Sequence, residues 1–318
     1  MANLNQLFWA ITLVFCFATV PAKAQFFEKT TALQGDIVVF PLTLINGYPF
    51  ISATVNGVTG KFMFDTGIAS SIMLNDNLID LPAKQVKGTG FVGSGQSFKT
   101  NINDTIQEVK FTNGISYKNL ENIMSGNYDF LQKYVTPDFL GFIGHQFFKD
   151  YFFKIDYIHR KVTFYAKSFK RSTSKDYLAN EKVLAVVNFE IGKLENHPHV
   201  KLKIDGIDVL GSFDTGQNGS LQLEFPSAKL LKNKGSVLYS GADSSGDTLL
   251  TVKNIIMDGK FQTTLKGIES STFESTQVIR REAGITEPNL MTFGYRFLSQ
   301  YKTVWDYENR KIYVLEYQ

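Results

Sequence analysis

Lys61-Phe62-Met63-Phe64-Asp65-Thr66-Gly67 and Gly211-Ser212-Phe213-Asp214-Thr215-Gly216 are the two stretches that decide the fold of this 318-residue chain. Each is an apolar run that ends on Asp-Thr-Gly. One such triplet alone would read as turn chemistry, because Asp-x-Gly is common in turns. A carboxylate at the end of a buried strand is costly unless something stabilises it. Two of them in matching contexts are expected to face each other. A facing pair cannot readily ionise both members, so it would hold one proton and act as acid and base together.

The flanks repeat in register. Pro49, Gly57 and Asp65 stand 8 residues apart, as do Pro198, Gly206 and Asp214. Val55-Asn56-Gly57 and Ile204-Asp205-Gly206 both read as strand, tight turn, strand. Downstream, Gly144, Phe147, Tyr151, Asp156, Tyr157, Arg160 and Lys161 recur 150 residues later as Gly294, Phe297, Tyr301, Asp306, Tyr307, Arg310 and Lys311. Self-similarity of this length means a duplicated domain rather than a short-period solenoid. Two lobes of similar fold, each supplying one Asp, are expected.

On these residues each half resembles a retropepsin-like aspartic protease unit, and the whole is similar to a single-chain, two-lobed aspartyl protease of bacterial type over most of residues 36–318. The resemblance implies a mainly β protein: two lobes of the acid-protease β-barrel fold, related by a pseudo-twofold duplication, with few short helices. It implies Asp65 and Asp214 as catalytic residues, with Thr66, Gly67, Thr215 and Gly216 supporting their loops. It also covers Phe142-Ile143-Gly144 and Thr292-Phe293-Gly294, elements expected to pack behind the catalytic loops, with a helix starting at each Gly. The two Thr would hydrogen-bond across the pseudo-twofold, and the two Gly would let backbone approach the carboxylates. Two residues beyond each Gly stand Ala69 and Asn218. Asn218 could donate a hydrogen bond to its carboxylate and is counted as loop support. Ala69 cannot, and Ser70 beside it is the only nearby substitute. A missing bond of this kind would shift the pKa and lower the rate without removing the chemistry.

Glycine-rich segments lie about 25 residues after each Asp, where a retropepsin-like unit places its flap. They are Gly88 to Gly95 and Ser240 to Gly246. Gly90, Phe91, Val92 and Gly93 in the first and Ser240 and Gly241 in the second are therefore candidate lid and substrate-binding residues. Residues 167–182 read as a polar linker between an N-terminal lobe at 36–166 and a C-terminal lobe at 183–318. Asn46-Gly47 is a hairpin signal, and the best helix candidates follow Gly144 and Gly294. Asp156 and Asp306 read as turn formers. His197-Pro198-His199 lacks a third ligand at useful spacing, so no metal and no cofactor are expected.

Residues 7–20 are apolar and are followed by Ala22-Lys23-Ala24, which reads as a signal peptide at 1–24. Export to a periplasm or to the medium is expected, with an uncleaved N-terminal anchor as the alternative and no stable membrane insertion after cleavage. Cys16 is the only cysteine and lies in that signal, which excludes a cysteine peptidase. The composition, 43% apolar and 20% charged, is that of a globular protein with a substantial core. A net charge of +3 gives no case for nucleic acid. The expected partner is a peptide or protein substrate, cleaved by a monomer with pseudo-dimeric lobes. A protein that kept the bilobal fold without useful catalysis, binding peptide or serving a structural role, is the alternative.

Overall fold

The computed structural model describes residues 31–82, 84–91, 97–103 and 105–318, with Phe91 described by its backbone alone. The expected signal peptide and the flap residues Val92 and Gly93 lie outside the described residues. The structure is mainly β, with two similar lobes and six short α-helices among the described residues.

The duplication is visible strand by strand. In the first half a sheet runs in the order Tyr48–Val55, Val58–Phe64, Phe139–Ile143, Ile72–Asn75, Ile123–Gly126, Ser97–Asn103, Lys84–Phe91. The second half runs Pro198–Ile204, Ile207–Phe213, Leu290–Phe293, Gly219–Gln222, Phe261–Ser271, Thr248–Met257, Val237–Ala242. Parallel pairings fall at the same places: Val58–Phe64 with Phe139–Ile143, and Ile207–Phe213 with Leu290–Phe293. In the second half Pro198–Ile204 also pairs with Thr248–Met257, which curls the sheet into a barrel. The Asn46-Gly47, Asn56-Gly57 and Asp205-Gly206 turns all have positive φ at both residues, the left-handed geometry of a tight hairpin turn.

A six-stranded sheet joins the halves, in the order Ile37–Pro41, Lys161–Ala166, Tyr151–Asp156, Lys302–Asp306, Lys311–Leu315, Val183–Asn188. Three strands come from each half, and the seam is the antiparallel pairing of Phe153 with Trp305, Lys154 with Val304 and Ile155 with Thr303. The matching Asp-Tyr turns lie at the ends of the seam strands. Asp156 accepts from the His159 N–H at 2.9 Å and Asp306 from the Asn309 N–H at 2.9 Å, the expected turn chemistry.

Aromatic side chains on this seam reach the strands that end on Asp65 and Asp214. Phe153 stacks on Trp305 with ring centroids 5.3 Å apart. Phe64, which precedes Asp65, packs edge-on to Phe153 at 5.8 Å, and Phe213, which precedes Asp214, packs edge-on to Trp305 at 5.2 Å. All four rings are fully or almost fully buried. Contacts of this type contribute about 0.5–1.5 kcal/mol each beyond area burial.

The expected helices after Gly144 and Gly294 are single turns, His145–Phe148 and Tyr295–Leu298, each with its Gly as N-cap. Two longer helices go beyond that expectation. Phe273–Ala283 starts with a capping box made by Thr272 and Ser275 and ends on Gly284 in the left-handed conformation. Phe225–Asn233 carries Pro226 in its first turn. Residues 167–182, read as a polar linker, are folded. They contain the helix Phe169–Ser174, capped by Ser168, then a 3-10 turn at Asp176–Leu178 with Tyr177 buried. Arg171 causes the difference: its buried guanidinium pairs with Asp36 at 2.9 Å and Asp176 at 3.0 Å and donates to the Ala166 carbonyl at 2.7 Å. That pins the connection to the first strand of the shared sheet.

Glu181, at the end of the same segment, bonds Lys154 and Lys302 at 2.8 Å each, one from each half of the seam. Burial pushes the Glu181 carboxyl upward, but the two lysines outweigh it and hold it below its usual range. The interaction is therefore present above the ordinary carboxylate range and lost as pH falls through the lowered native value. Glu181→Ala leaves two largely buried lysines without their carboxylate, with only Asp156 at 3.8 Å still near Lys302, and is expected to cost about 3 kcal/mol in urea unfolding at pH 7. The cost should shrink in strongly acid solution, and a change within about 0.5 kcal/mol at pH 7, the range of ordinary surface substitutions, would show that the network does not hold the seam.

Candidate active site

Both Asp-Thr-Gly loops leave the end of a strand of the apolar core and are held from behind in the same way. The Asp65 N–H donates to the Ile143 carbonyl and the Asp214 N–H to the Phe293 carbonyl, both at 2.9 Å. His145 and Gln146 donate through their backbone to Ile68 and Ala69, as Tyr295 and Arg296 do to Gln217 and Asn218. The Phe142-Ile143-Gly144 and Thr292-Phe293-Gly294 elements therefore pack behind the loops, as the resemblance implied.

The two loops meet through their threonines. Thr215 Oγ1 accepts from the Thr66 N–H at 2.9 Å and donates to the Phe64 carbonyl at 2.7 Å. Thr66 Oγ1 accepts from the Thr215 N–H at 3.1 Å. Both threonines are completely buried. In front of this grip the Asp65 and Asp214 carboxyls face each other, within reach of a hydrogen bond when one of them carries a proton. The Gly67 N–H donates to Asp65 Oδ1 and the Gly216 N–H to Asp214 Oδ1, both at 2.8 Å. Each Gly also faces the opposite carboxylate. A Cβ at Gly67 would sit 2.5 Å from Asp214 Oδ2, and one at Gly216 would collide with the Asp65 carboxylate. Any larger residue at either Gly would force the pair apart.

Burial, then the charge of Asp214 and the hydrogen bond to it, push the Asp65 carboxyl well above its usual range. The Gly67 and Ile68 N–H groups oppose this without overcoming it. Two carboxyls in hydrogen-bond contact retain a proton between them, which is the arrangement needed for paired acid and base action.

Not every predicted support is in place. Asn218 makes no hydrogen bond to Asp214 among the described residues; its Oδ1 is buried without a partner and fills the space in front of Gly47. Ala69 is exposed, and Ser71, two residues on, turns its hydroxyl away to the Thr31 carbonyl. Gly90 and Phe91 lie on the hairpin strand Lys84–Phe91, paired with Phe98 and Ser97. Ser240 and Gly241 also lie on a strand, Val237–Ala242, because a bulge next to Gly241 carries the pairing on to Ala242. The tip of that hairpin is Asp243 to Asp247, closed by Asp243 Oδ1 accepting from the Ser245 and Asp247 N–H groups. The two hairpins occupy equivalent places in the two sheets.

Three residues near the dyad escaped the sequence reading. Tyr48, half-buried, has its phenol pushed upward by burial and by the charges of Glu269, Asp214 and Asp65. His197 is buried and feels Asp214; burial keeps its imidazole below the usual range, with Asp214 opposing. Asn196 is buried and donates from Nδ2 to the Gly67 carbonyl at 2.6 Å and the Thr66 carbonyl at 3.3 Å. A signal for two of them was present. Tyr48 and His197 precede the repeated prolines Pro49 and Pro198, and their positions recur with the same spacing as the two Asp residues.

No protein-family model and no curated protein matches the chain. Solved structures do resemble it. A basic 7S globulin from soybean is 10% identical with a TM-score of 0.52, and covers 88% of this chain and 95% of its own. Conglutin gamma, a basic 7S globulin from lupine seeds, is 10% identical with a TM-score of 0.53, over 90% and 96%. An aspartic proteinase from Irpex lacteus is 13% identical with a TM-score of 0.51, over 88% and 97%. At such low identity these likenesses establish the two-lobed aspartic-proteinase-like fold and nothing of activity.

The grip is not symmetric in its hydrogen bonds, and this is testable. Thr215→Val orphans the Thr66 N–H and the Phe64 carbonyl, whereas Thr66→Val orphans the Thr215 N–H alone. At about 1–3 kcal/mol per buried unpaired group, Thr215→Val is expected to destabilise more than Thr66→Val in denaturant unfolding. Equal losses, or a larger one for Thr66→Val, would contradict the bonding pattern.

Proposed function

We propose that the chain is an exported aspartic endopeptidase that hydrolyses peptide bonds with a water activated between Asp65 and Asp214. The observation that carries this reading is the facing pair itself: two carboxyls in hydrogen-bond contact, each held by the Gly N–H of its own loop. The ionised member takes a proton from water as the water oxygen attacks the peptide carbonyl carbon. The protonated member donates a hydrogen bond to the carbonyl oxygen as charge develops on it. A proton then reaches the nitrogen as the C–N bond breaks, which restores the singly protonated pair. Thr66 and Thr215 keep the carboxyls in register, and the two hairpins act as lids over the bound peptide.

The proposal includes the narrower likeness to bacterial single-chain retropepsin-like enzymes, a peptide or protein substrate, a monomeric state and a periplasmic or secreted location. A second reading, a peptide-binding or structural protein with little or no catalysis, draws support from two observations. Among the described residues no side-chain hydroxyl or amide donates to either carboxylate, and two of the similar structures are named as globulins.

Cleavage of a varied peptide mixture by the purified mature protein tests the choice. The endopeptidase reading predicts cleavage within pH 3 to 7, with a bell-shaped rate profile set by the pair, and a loss of at least ~10³-fold in kcat for Asp65→Asn or Asp214→Asn. Absence of cleavage by the wild-type protein across that range favours the second reading. Equal rates in wild type and variants would place the chemistry elsewhere.

A further inference from the structure

The two catalytic loops are supported differently, and the difference follows the sequence repeat. Asn196 stands where the first half has Gly47, and Asn218 stands where it has Ala69. The large and small partners are exchanged between the lobes. Asn218, on the second catalytic loop, fills the space before Gly47, where a Cβ would come within 2.6 Å of its Oδ1. Asn196, on the turn that enters the strand Pro198–Ile204, crosses from the second lobe to the first loop, where Ala69 has no polar group to offer. Its amide bonds the carbonyls of Thr66 and Gly67, the two residues that follow Asp65.

We propose that Asn196 is a positioning residue for the pair, holding the first catalytic loop from the opposite lobe and compensating for Ala69. This rests on the endopeptidase reading for its effect on rate, but not for its effect on the loop. The Gly67 N–H, which donates to Asp65 Oδ1, shares its peptide plane with the Thr66 carbonyl, which Asn196 holds at 3.3 Å, and the next peptide unit carries the Gly67 carbonyl, which Asn196 holds at 2.6 Å. With the amide in place that N–H stays directed at the carboxylate. Without it, the buried Thr66 carbonyl and the partly buried Gly67 carbonyl lose their side-chain donor, and the loop is free to rotate the Gly67 N–H off the acid. The titratable groups around the clasp are Asp65 and Asp214 in front, Tyr48 opposite, His197 next along the chain, with His199 beyond it and His145 behind the loop.

Two variants test the proposal, each read by activity and by deuterium exchange. Asn196→Ala is expected to lower kcat by about 10- to 100-fold with KM little changed, and to speed exchange in a peptide spanning 64–71 but not in one spanning 213–218. Asn196→Asp places a carboxyl against the same two carbonyls. Ionised, it repels them; protonated, it donates one bond again. Burial and the facing carbonyls favour the protonated form, so the variant's activity relative to wild type, and its protection of 64–71, should rise as pH falls, starting above the usual carboxylate range. A wild-type kcat in Asn196→Ala, with unchanged exchange in 64–71, overturns the proposal. So does a pH-independent ratio in Asn196→Asp, which also serves if the alanine variant does not fold. If the wild-type protein cleaves no peptide, the endopeptidase reading fails, while the exchange measurements still decide whether Asn196 holds the loop.

Discussion

The reciprocal hydrogen bonding of Thr66 and Thr215 is the interaction on which the rest of the structure depends. Three buried bonds cross the pseudo-twofold between the loops, at about 1 kcal/mol each net. They bring Asp65 and Asp214 into contact. Two full negative charges about 4 Å apart would repel by about 4 kcal/mol at an effective dielectric constant of 20. The repulsion is as large as everything the grip contributes. A single proton retained on the pair removes that repulsion and lets the grip hold the loops together.

The grip is a short-range interaction and needs a frame that brings the loops within reach. The shared six-stranded sheet supplies it, with three strands from each half meeting at the Phe153–Trp305 pairing. Phe64 and Phe213, each one residue before its Asp, rest on that stack, so the spacing of the carboxyls is set by packed rings as well as by hydrogen bonds. Behind the loops the lobes exchange another pair of contacts. Tyr157 of the first half packs on Tyr295 of the second at 5.8 Å, and Tyr307 of the second on His145 of the first at 4.7 Å. The folded connection at 167–182 adds Arg171 and Glu181 to the same frame. Rigid packing of this kind leaves the halves few ways to slide past one another.

Much of this was legible in the chain. The triplets, the prolines and glycines at matching spacing, and the elements 150 residues apart pointed to a duplicated β fold, and the order of strands is indeed the same in the two sheets. The tight hairpins were legible because Asn-Gly and Asp-Gly have few other uses. What the sequence concealed lies where contacts cross between lobes. Asn196 looks like a polar loop residue until the second lobe is folded against the first. Arg171 sits in a run of polar residues, and nothing local says that its partners are Asp36 and Asp176. Asn218 misled for a related reason: its amide had the right chemistry for the carboxylate, but Gly47 of the other lobe leaves a space that it fills instead. The helix at Phe273–Ala283 is different, because Thr272 and Gly284 mark its ends in the local sequence.

The central claim, that the two halves fold so as to make Asp65 and Asp214 a single titrating unit, can be measured without any substrate. Carbon-13 labelling of the aspartate side chains allows the Asp65 and Asp214 carboxyl resonances to be followed with pH. The account predicts two well-separated steps, with both resonances responding in each and the upper step above the usual carboxylate range. Independent titration of each carboxyl, in single steps near about 4 as for isolated aspartates, would contradict it.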